Sequence, residues 1–222
     1  MQTRCDDGIY VIGVEERSLE EHLKSLTFHT TRGDFEALLH TCATSRKGVI
    51  MLGGYSGGFD GPGSVFADLS QKLFDSGITS LRLDYRHPGD CVQCGIDTLL
   101  ALQYLDDDAI HNVVLLGWSF GGAVAITAGS LARGIRGVAA ISTIEVADCC
   151  AKRLRSKPLL LIHGESDLTS PVAWPKRIYS LAEGPRDLII YSGVGHDMQA
   201  VGGRLVKDLA NWILHTLSQH HY

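Results

Sequence analysis

The chain has 222 residues, 45% hydrophobic and 20% charged, a soluble globular balance at a length that suits one domain with a substantial core. Its formal net charge is −5 with both signs mixed along the chain, so the basic surplus that marks a nucleic-acid partner is missing. Apolar runs such as 113–116 and 159–162 fall far short of the ~18 residues of a membrane span. The polar opening Met1–Asp7 has no signal-peptide core behind it, which makes the cytoplasm the expected location.

The first 46 residues read as an antiparallel edge. Leu26 to Thr31 and Phe35 to Cys42 flank Arg32-Gly33-Asp34, a hairpin turn. Residues 9–25 are ambiguous, with Ile9 to Val14 a candidate strand and Leu19 to Leu23 a candidate short helix.

From residue 47 short apolar runs alternate with longer amphipathic ones. Strands are predicted at Lys47 to Leu52, Ile78 to Leu83, Val113 to Leu116, Val138 to Ser142, Pro158 to His163 and Leu188 to Tyr191. Between and after them, helices are predicted over Val65 to Asp75, Ile96 to Leu105, Phe120 to Leu131, Val172 to Ala182 and Val201 to Leu217. Asp106-Asp107-Asp108 reads as a solvated helix end. Continuous apolar strands separated by helices imply an α/β fold: a mostly parallel sheet of about seven to eight strands, covered on both faces. Right-handed crossovers then gather the strand C-termini along one edge, where such sheets bind ligands.

The strongest chemical signal is Gly117-Trp118-Ser119-Phe120-Gly121, set between a buried strand and a helix. That context makes the Gly-x-Ser-x-Gly run a sharp strand-to-helix turn that lifts a serine hydroxyl to the sheet edge, beside the helix amides. A serine needs a base to take its proton and an acid to orient the base. Of ten histidines, His196 lies in the glycine-rich loop after the last predicted strand. Asp167 follows the preceding strand in Gly164-Glu165-Ser166-Asp167, and Glu165 shares that loop as an alternative. The order serine, aspartate, histidine suits this architecture. His163, ending a buried strand, reads as a packed neutral imidazole; His87 as a solvated loop residue; Asp197 as pointing away; His215, His220 and His221 as without role. The amide of Phe120 and, through the bend at Gly53-Gly54, that of Tyr55 are the expected donors to an oxyanion.

Six cysteines do not form a disulfide scaffold pattern. Cys91-Val92-Gln93-Cys94 has half-zinc or redox spacing, but nothing completes four ligands, so the thiols read as structural. No metal and no cofactor is expected.

Taken together, these residues resemble the α/β-hydrolase fold family, and the likeness runs from about residue 26 to the end. Gly-Glu-Ser-Asp and Gly-Val-Gly-His look like the acid and histidine loops of its dienelactone-hydrolase-like and small carboxylesterase-like members. The resemblance implies a triad of Ser119, Asp167 and His196 with an oxyanion hole at Tyr55 and Phe120. The chain departs from dienelactone hydrolases proper in having serine rather than cysteine as nucleophile, and it carries Gly53 where many members have histidine. Only Thr143 to Lys157 separate the two strands between which many members insert a cap, so an open site is expected. Specificity then falls to Gly54, Tyr55, Phe59, Trp118, Ile144 and Trp174, which favour an apolar acyl or aryl ester as the small-molecule partner. Thioester and lactone hydrolysis, or a binding protein without turnover, are the alternatives; the chain is expected as a monomer or homodimer.

Overall fold

The computed structural model describes residues 8–146 and 148–219. Their order is β1 (Val11–Ser18), β2 (Leu23–Thr30), β3 (Gly33–His40), β4 (Lys47–Leu52), α1 (Val65–Phe74), β5 (Thr79–Asp84), α2 (Cys91–Asp107) and β6 (Asn112–Trp118). Then come α3 (Phe120–Leu131), β7 (Ile135–Ile141), α4 (Asp148–Arg153), β8 (Leu159–Gly164), α5 (Ala173–Leu181), β9 (Arg186–Tyr191) and α6 (Gly202–Ser218).

The nine strands lie in one sheet in the order β1-β2-β3-β5-β4-β6-β7-β8-β9. β1, β2 and β3 are antiparallel, as is β3 against β5, and every pairing from β5 through β9 is parallel. The sheet exceeds the expected seven to eight strands because the candidate strand in residues 9–25 forms, as Val11–Ser18, while the candidate helix at Leu19 to Leu23 does not. β1 pairs along β2, and residues 19–22 form a turn in which the Leu19 and Glu20 amides both donate to Leu23 O. A stretch that short cannot offset helix nucleation, whereas pairing with β2 satisfies its backbone. α2 also begins earlier than expected, at Cys91, because Asp90 caps it by accepting the Val92 and Gln93 amides at 3.0 and 3.1 Å.

Strand residues alternate between two cores. In β4, Val49 and Met51 pack with Phe66, Leu69 and Leu73 of α1 and with Leu205, Leu209 and Ile213 of α6. Ile50 and Leu52 face the other way, into a core shared with Leu100 and Leu105 of α2 and Val124 of α3. Each such fully buried side chain contributes roughly 1.5–3 kcal/mol of transfer free energy. α3 lies close on the sheet because its sheet-facing positions are small. A methyl group at Gly129 would meet Val138, and one at Gly122 would meet Thr143.

This topology positions the site. β4 is flanked by β5 on one side and β6 on the other, so the crossovers diverge there and leave a crevice at the C-terminal ends of β4 and β6. Between β7 and β8 the chain carries one short helix, α4, and no separate cap. No helix among the described residues is long and apolar enough to cross a membrane.

Candidate active site

Ser119 leaves β6 with φ 55 and ψ −118, a conformation rare outside glycine, and α3 begins at the next residue. Its amide is anchored to Ile141 O at 2.8 Å. The flanking glycines are required by space. A Cβ at Gly117 would run into the carbonyl of Gly121, and one at Gly121 into the carbonyls of Leu52 and Gly53. The elbow is thereby pressed against the end of β4.

The loop after β9 brings His196 to this serine, with Nε2 2.9 Å from Ser119 Oγ. The loop after β8 brings Asp167 to the other side of the ring, with Oδ2 2.7 Å from His196 Nδ1. The Asp167 side chain is fully buried, and its Oδ1 accepts the amides of Thr169 and Ser170 at 2.9 and 2.8 Å. A carboxylate held this way only accepts, so Nδ1 carries the imidazole proton and Nε2 presents a lone pair to the serine hydroxyl.

His163, fully buried below Asp167, donates from Nε2 to Ser170 O at 2.8 Å and lies 3.5 Å from Asp167 Oδ2. Burial pushes its pKa down, which keeps it neutral as the sequence suggests. Glu165 turns instead to Ser192, whose hydroxyl it accepts at 2.6 Å. Asp197 is exposed and accepts the Gln199 amide at 3.2 Å, and His87 is exposed in its loop. His215 lies on α6; His220 and His221 lie outside the described residues.

On the other side of the serine, residues 53–58 form a turn closed by the Gly57 amide on Gly54 O at 3.0 Å. Tyr55 is the second residue of that turn, a position whose amide the turn itself does not use. Phe120 opens α3, so its amide has no helical carbonyl one turn back. Tyr55 is 72% exposed; its ring stands edge-on to the Phe120 ring at 5.7 Å and passes over Gly89, where a Cβ would press against it. Trp118 is half-buried with its ring against Gly54, and the Ile144 amide donates to Ser119 O at 3.4 Å. Trp174 lies in the first turn of α5, beyond the Asp167 loop at the same sheet edge.

Phe59 is placed differently from the expectation. Beyond the turn the chain runs on through further positive-φ glycines, and Phe59 lines a groove over the antiparallel strands with Arg17, Thr27, Glu36 and Leu38, away from the serine.

Three contributions were not read from the sequence. Asp84, ending β5, accepts the amides of Gly58 and Tyr85 at 2.8 and 2.9 Å and ties down the loop that carries Tyr55. Ser142, just after β7, and the Trp118 indole both donate to the carbonyl of His196. The available signal was position: Asp84 and Ser142 end strands at the crevice edge.

The five described cysteines are free. Burial pushes the Cys94 thiol up to about 12 and also raises Cys91, the opposite of an activated thiolate. Among the described residues no group of three His, Cys, Asp or Glu side chains could hold a metal ion.

No family model matches the sequence, and no curated protein matches it. Solved structures do resemble its fold. Est1E from Butyrivibrio proteoclasticus superposes with a TM-score of 0.76 at 14% identity, covering 88% of this chain and 99% of that one. A dienelactone hydrolase from Anabaena variabilis gives 0.76 at 16% identity over 91% and 98%. The esterase Pf2001 of Pyrococcus furiosus gives 0.72 at 16% over 87% and 92%. With its strand order, its strand-to-helix elbow at Ser119 and these likenesses, the chain has the α/β-hydrolase fold.

Proposed function

We propose that this chain hydrolyses carboxylic esters through an acyl-enzyme formed on Ser119. The observation that carries the reading is the unbroken relay from Ser119 Oγ to His196 at 2.9 Å and from His196 to Asp167 at 2.7 Å. In the first half-reaction Ser119 Oγ attacks the ester carbonyl as His196 Nε2 takes the hydroxyl proton. Asp167 holds the resulting imidazolium without itself being protonated. The Phe120 and Tyr55 amides receive the charge on the carbonyl oxygen. As the tetrahedral centre collapses, Nε2 returns the proton to the leaving alkoxide and the alcohol departs. Water then attacks the acyl-enzyme along the same route, its proton passing through His196 to Ser119, and the acid is released.

For substrate, the exposed Tyr55 ring, with Trp118 and Ile144 near the serine, supports an apolar acyl or aryl ester over a charged one. The lack of a separate cap supports access without a closing lid. The names of the structural neighbours, an esterase and a dienelactone hydrolase among them, agree with ester or lactone chemistry.

Labelling with a fluorophosphonate, followed by a chain-length series of p-nitrophenyl esters beside an acyl-CoA and a lactone, tests the reading. Ser119→Ala should abolish labelling and turnover. Folded wild-type protein that takes no label would defeat the hydrolase reading in favour of a binding role.

A further inference from the structure

We infer that Trp118 and Ser142 are positioning residues for His196, acting together on its backbone carbonyl. The inference rests on the ester-hydrolase reading and concerns what holds the base of that reaction in place.

His196 hangs from a glycine-rich loop, Gly193-Val194-Gly195, and Gly193 has φ +70. Asp167 fixes the rotation of the imidazole through Nδ1, but it does not fix the backbone from which the ring projects. Two side chains from the sheet do. Trp118 Nε1 donates to His196 O at 3.2 Å, and Ser142 Oγ donates to the same oxygen at 3.2 Å. The donors come from the ends of neighbouring strands, since Trp118 pairs with Ile141 in the β6–β7 register and Ser142 follows directly. Together they give one carbonyl two donors, the number its two lone pairs can take.

Ser142 is fully buried and sits at φ 45, a left-handed conformation that a serine adopts only when its surroundings impose it. Its amide is locked to Ile162 O at 2.8 Å, which leaves the hydroxyl aimed at the histidine loop. Trp118 reaches both sides of the crevice. Its ring lies against Gly54 in the loop after β4 and 5.6 Å from the His196 ring. A residue adjacent to the nucleophile thus spans the oxyanion loop and the base loop.

The chemistry gives this clamp a consequence. Nε2 must take a proton from Ser119 and give it to the leaving alkoxide in acylation, then take one from water and give it to Ser119 in deacylation, and misplacement of about 1 Å costs on the order of 10²-fold. Loosening the His196 backbone should therefore lower kcat and leave KM nearly unchanged. Loss of one donor should be tolerated better than loss of both, because the remaining one still holds the carbonyl.

The test uses Ser142→Ala, Ser142→Gly, Trp118→Phe and the double variant Ser142→Ala/Trp118→Phe, assayed with a p-nitrophenyl ester. Each single change should lower kcat about three- to tenfold, and the double should lower it by about 10²-fold or more, with KM within about twofold. Ser142→Gly relieves the positive-φ strain, so it should unfold at the same or a higher temperature than Ser142→Ala while losing as much activity. That opposition separates positioning from simple stabilisation. The low-field proton resonance of the His196–Asp167 hydrogen bond should be sharp in wild type and broadened in the double variant.

A folded double variant with wild-type kcat overturns the inference, as does a loss confined to KM, which would mark a substrate contact. Should the double variant not fold, Ser142→Gly with wild-type kcat overturns it equally. Fluorophosphonate labelling separates the two levels. A wild-type protein that never labels sinks the hydrolase reading and this inference with it. A wild type that labels, beside a double variant that labels as fast, sinks the inference alone.

Discussion

Asp84 reaches from the end of β5 to the amide of Gly58 at 2.8 Å and so fastens the loop after β4 to the neighbouring strand. Gly57 has no room for a side chain because this carboxylate occupies the space. The Tyr55 amide is thus placed by a residue that never touches the serine. Asp84→Ala should free the turn and lower kcat for ester hydrolysis roughly 10- to 100-fold, in the range of one weakened oxyanion donor. Asp84→Asn keeps an acceptor oxygen and should lose less. Equal activity in wild type and Asp84→Ala would show that the loop is ordered without it.

The elbow makes a steric prediction. Gly121→Ala drives a methyl group into the carbonyls of Leu52 and Gly53, so the end of β4 must shift. Overpacking of this kind costs about 1–3 kcal/mol. It should also displace the Tyr55 loop, so that turnover falls further than stability alone explains. Gly203 in α6 is the contrast, since a Cβ there meets nothing within 4 Å. Gly203→Ala should stabilise by about 0.5 kcal/mol and leave turnover alone. Urea denaturation of the two variants beside wild type measures both effects.

Such steric demands also explain how much the sequence disclosed. Ser119 was legible because a buried strand, two glycines at fixed spacing and an immediate helix leave one geometry for the turn. Asp167 and His196 could be placed because strand ends in a parallel sheet share one edge, so loop position stands in for distance. β1 was ambiguous because its exposed stretch, Glu15-Glu16-Arg17, hides the period of an edge strand. The predicted helix began at Ile96 rather than Cys91 because its cap lies in the Asp90 carboxylate, which accepts the Val92 and Gln93 amides. Phe59 was misplaced, and Asp84 and Ser142 overlooked, for one reason. Their roles depend on where a loop turns after leaving its strand, and neither composition nor periodicity encodes that direction. The Trp118 ring marked it as an apolar residue of the site, whereas the bond from its indole proton to His196 depends on where the histidine loop lies.

His163 predicts a pH dependence of stability. Burial holds its folded pKa below the ordinary histidine value, while the unfolded chain takes up the proton below about pH 6.5. The unfolded state therefore binds more protons, and the stability present above that pH declines as pH falls, by at most about 1.4 kcal/mol per unit for this residue. His40, lowered mainly by burial, acts in the same direction. His163→Gln should flatten the decline between pH 7 and pH 5 in urea titrations. Parallel declines in wild type and variant would assign the acid sensitivity elsewhere.

The last prediction concerns the loop beneath Tyr55. Arg86 and Asp97 form a buried pair at 2.6 Å, and the Arg86 amide also donates to the same carboxylate at 3.0 Å. The guanidinium reaches on to Gln93 Oε1 and Arg32 O, so it joins α2 and the β2–β3 turn to the loop that bears His87 and Gly89. Arg86→Met would leave a fully buried carboxylate without its cation, at a cost of about 3–5 kcal/mol. Burial already raises the Asp97 pKa against the pull of Arg86, and without that pull the folded state should favour the protonated acid. The unfolded chain ionises Asp97 above about pH 3.9, so the variant should lose further stability as pH rises from 5 to 8. Arg86→Met/Asp97→Leu removes both charges and should recover most of the loss. Chemical denaturation of the three proteins at pH 5 and pH 8 decides the matter: a single-variant deficit identical at both pH values would mean that the stranded carboxylate is not its cause.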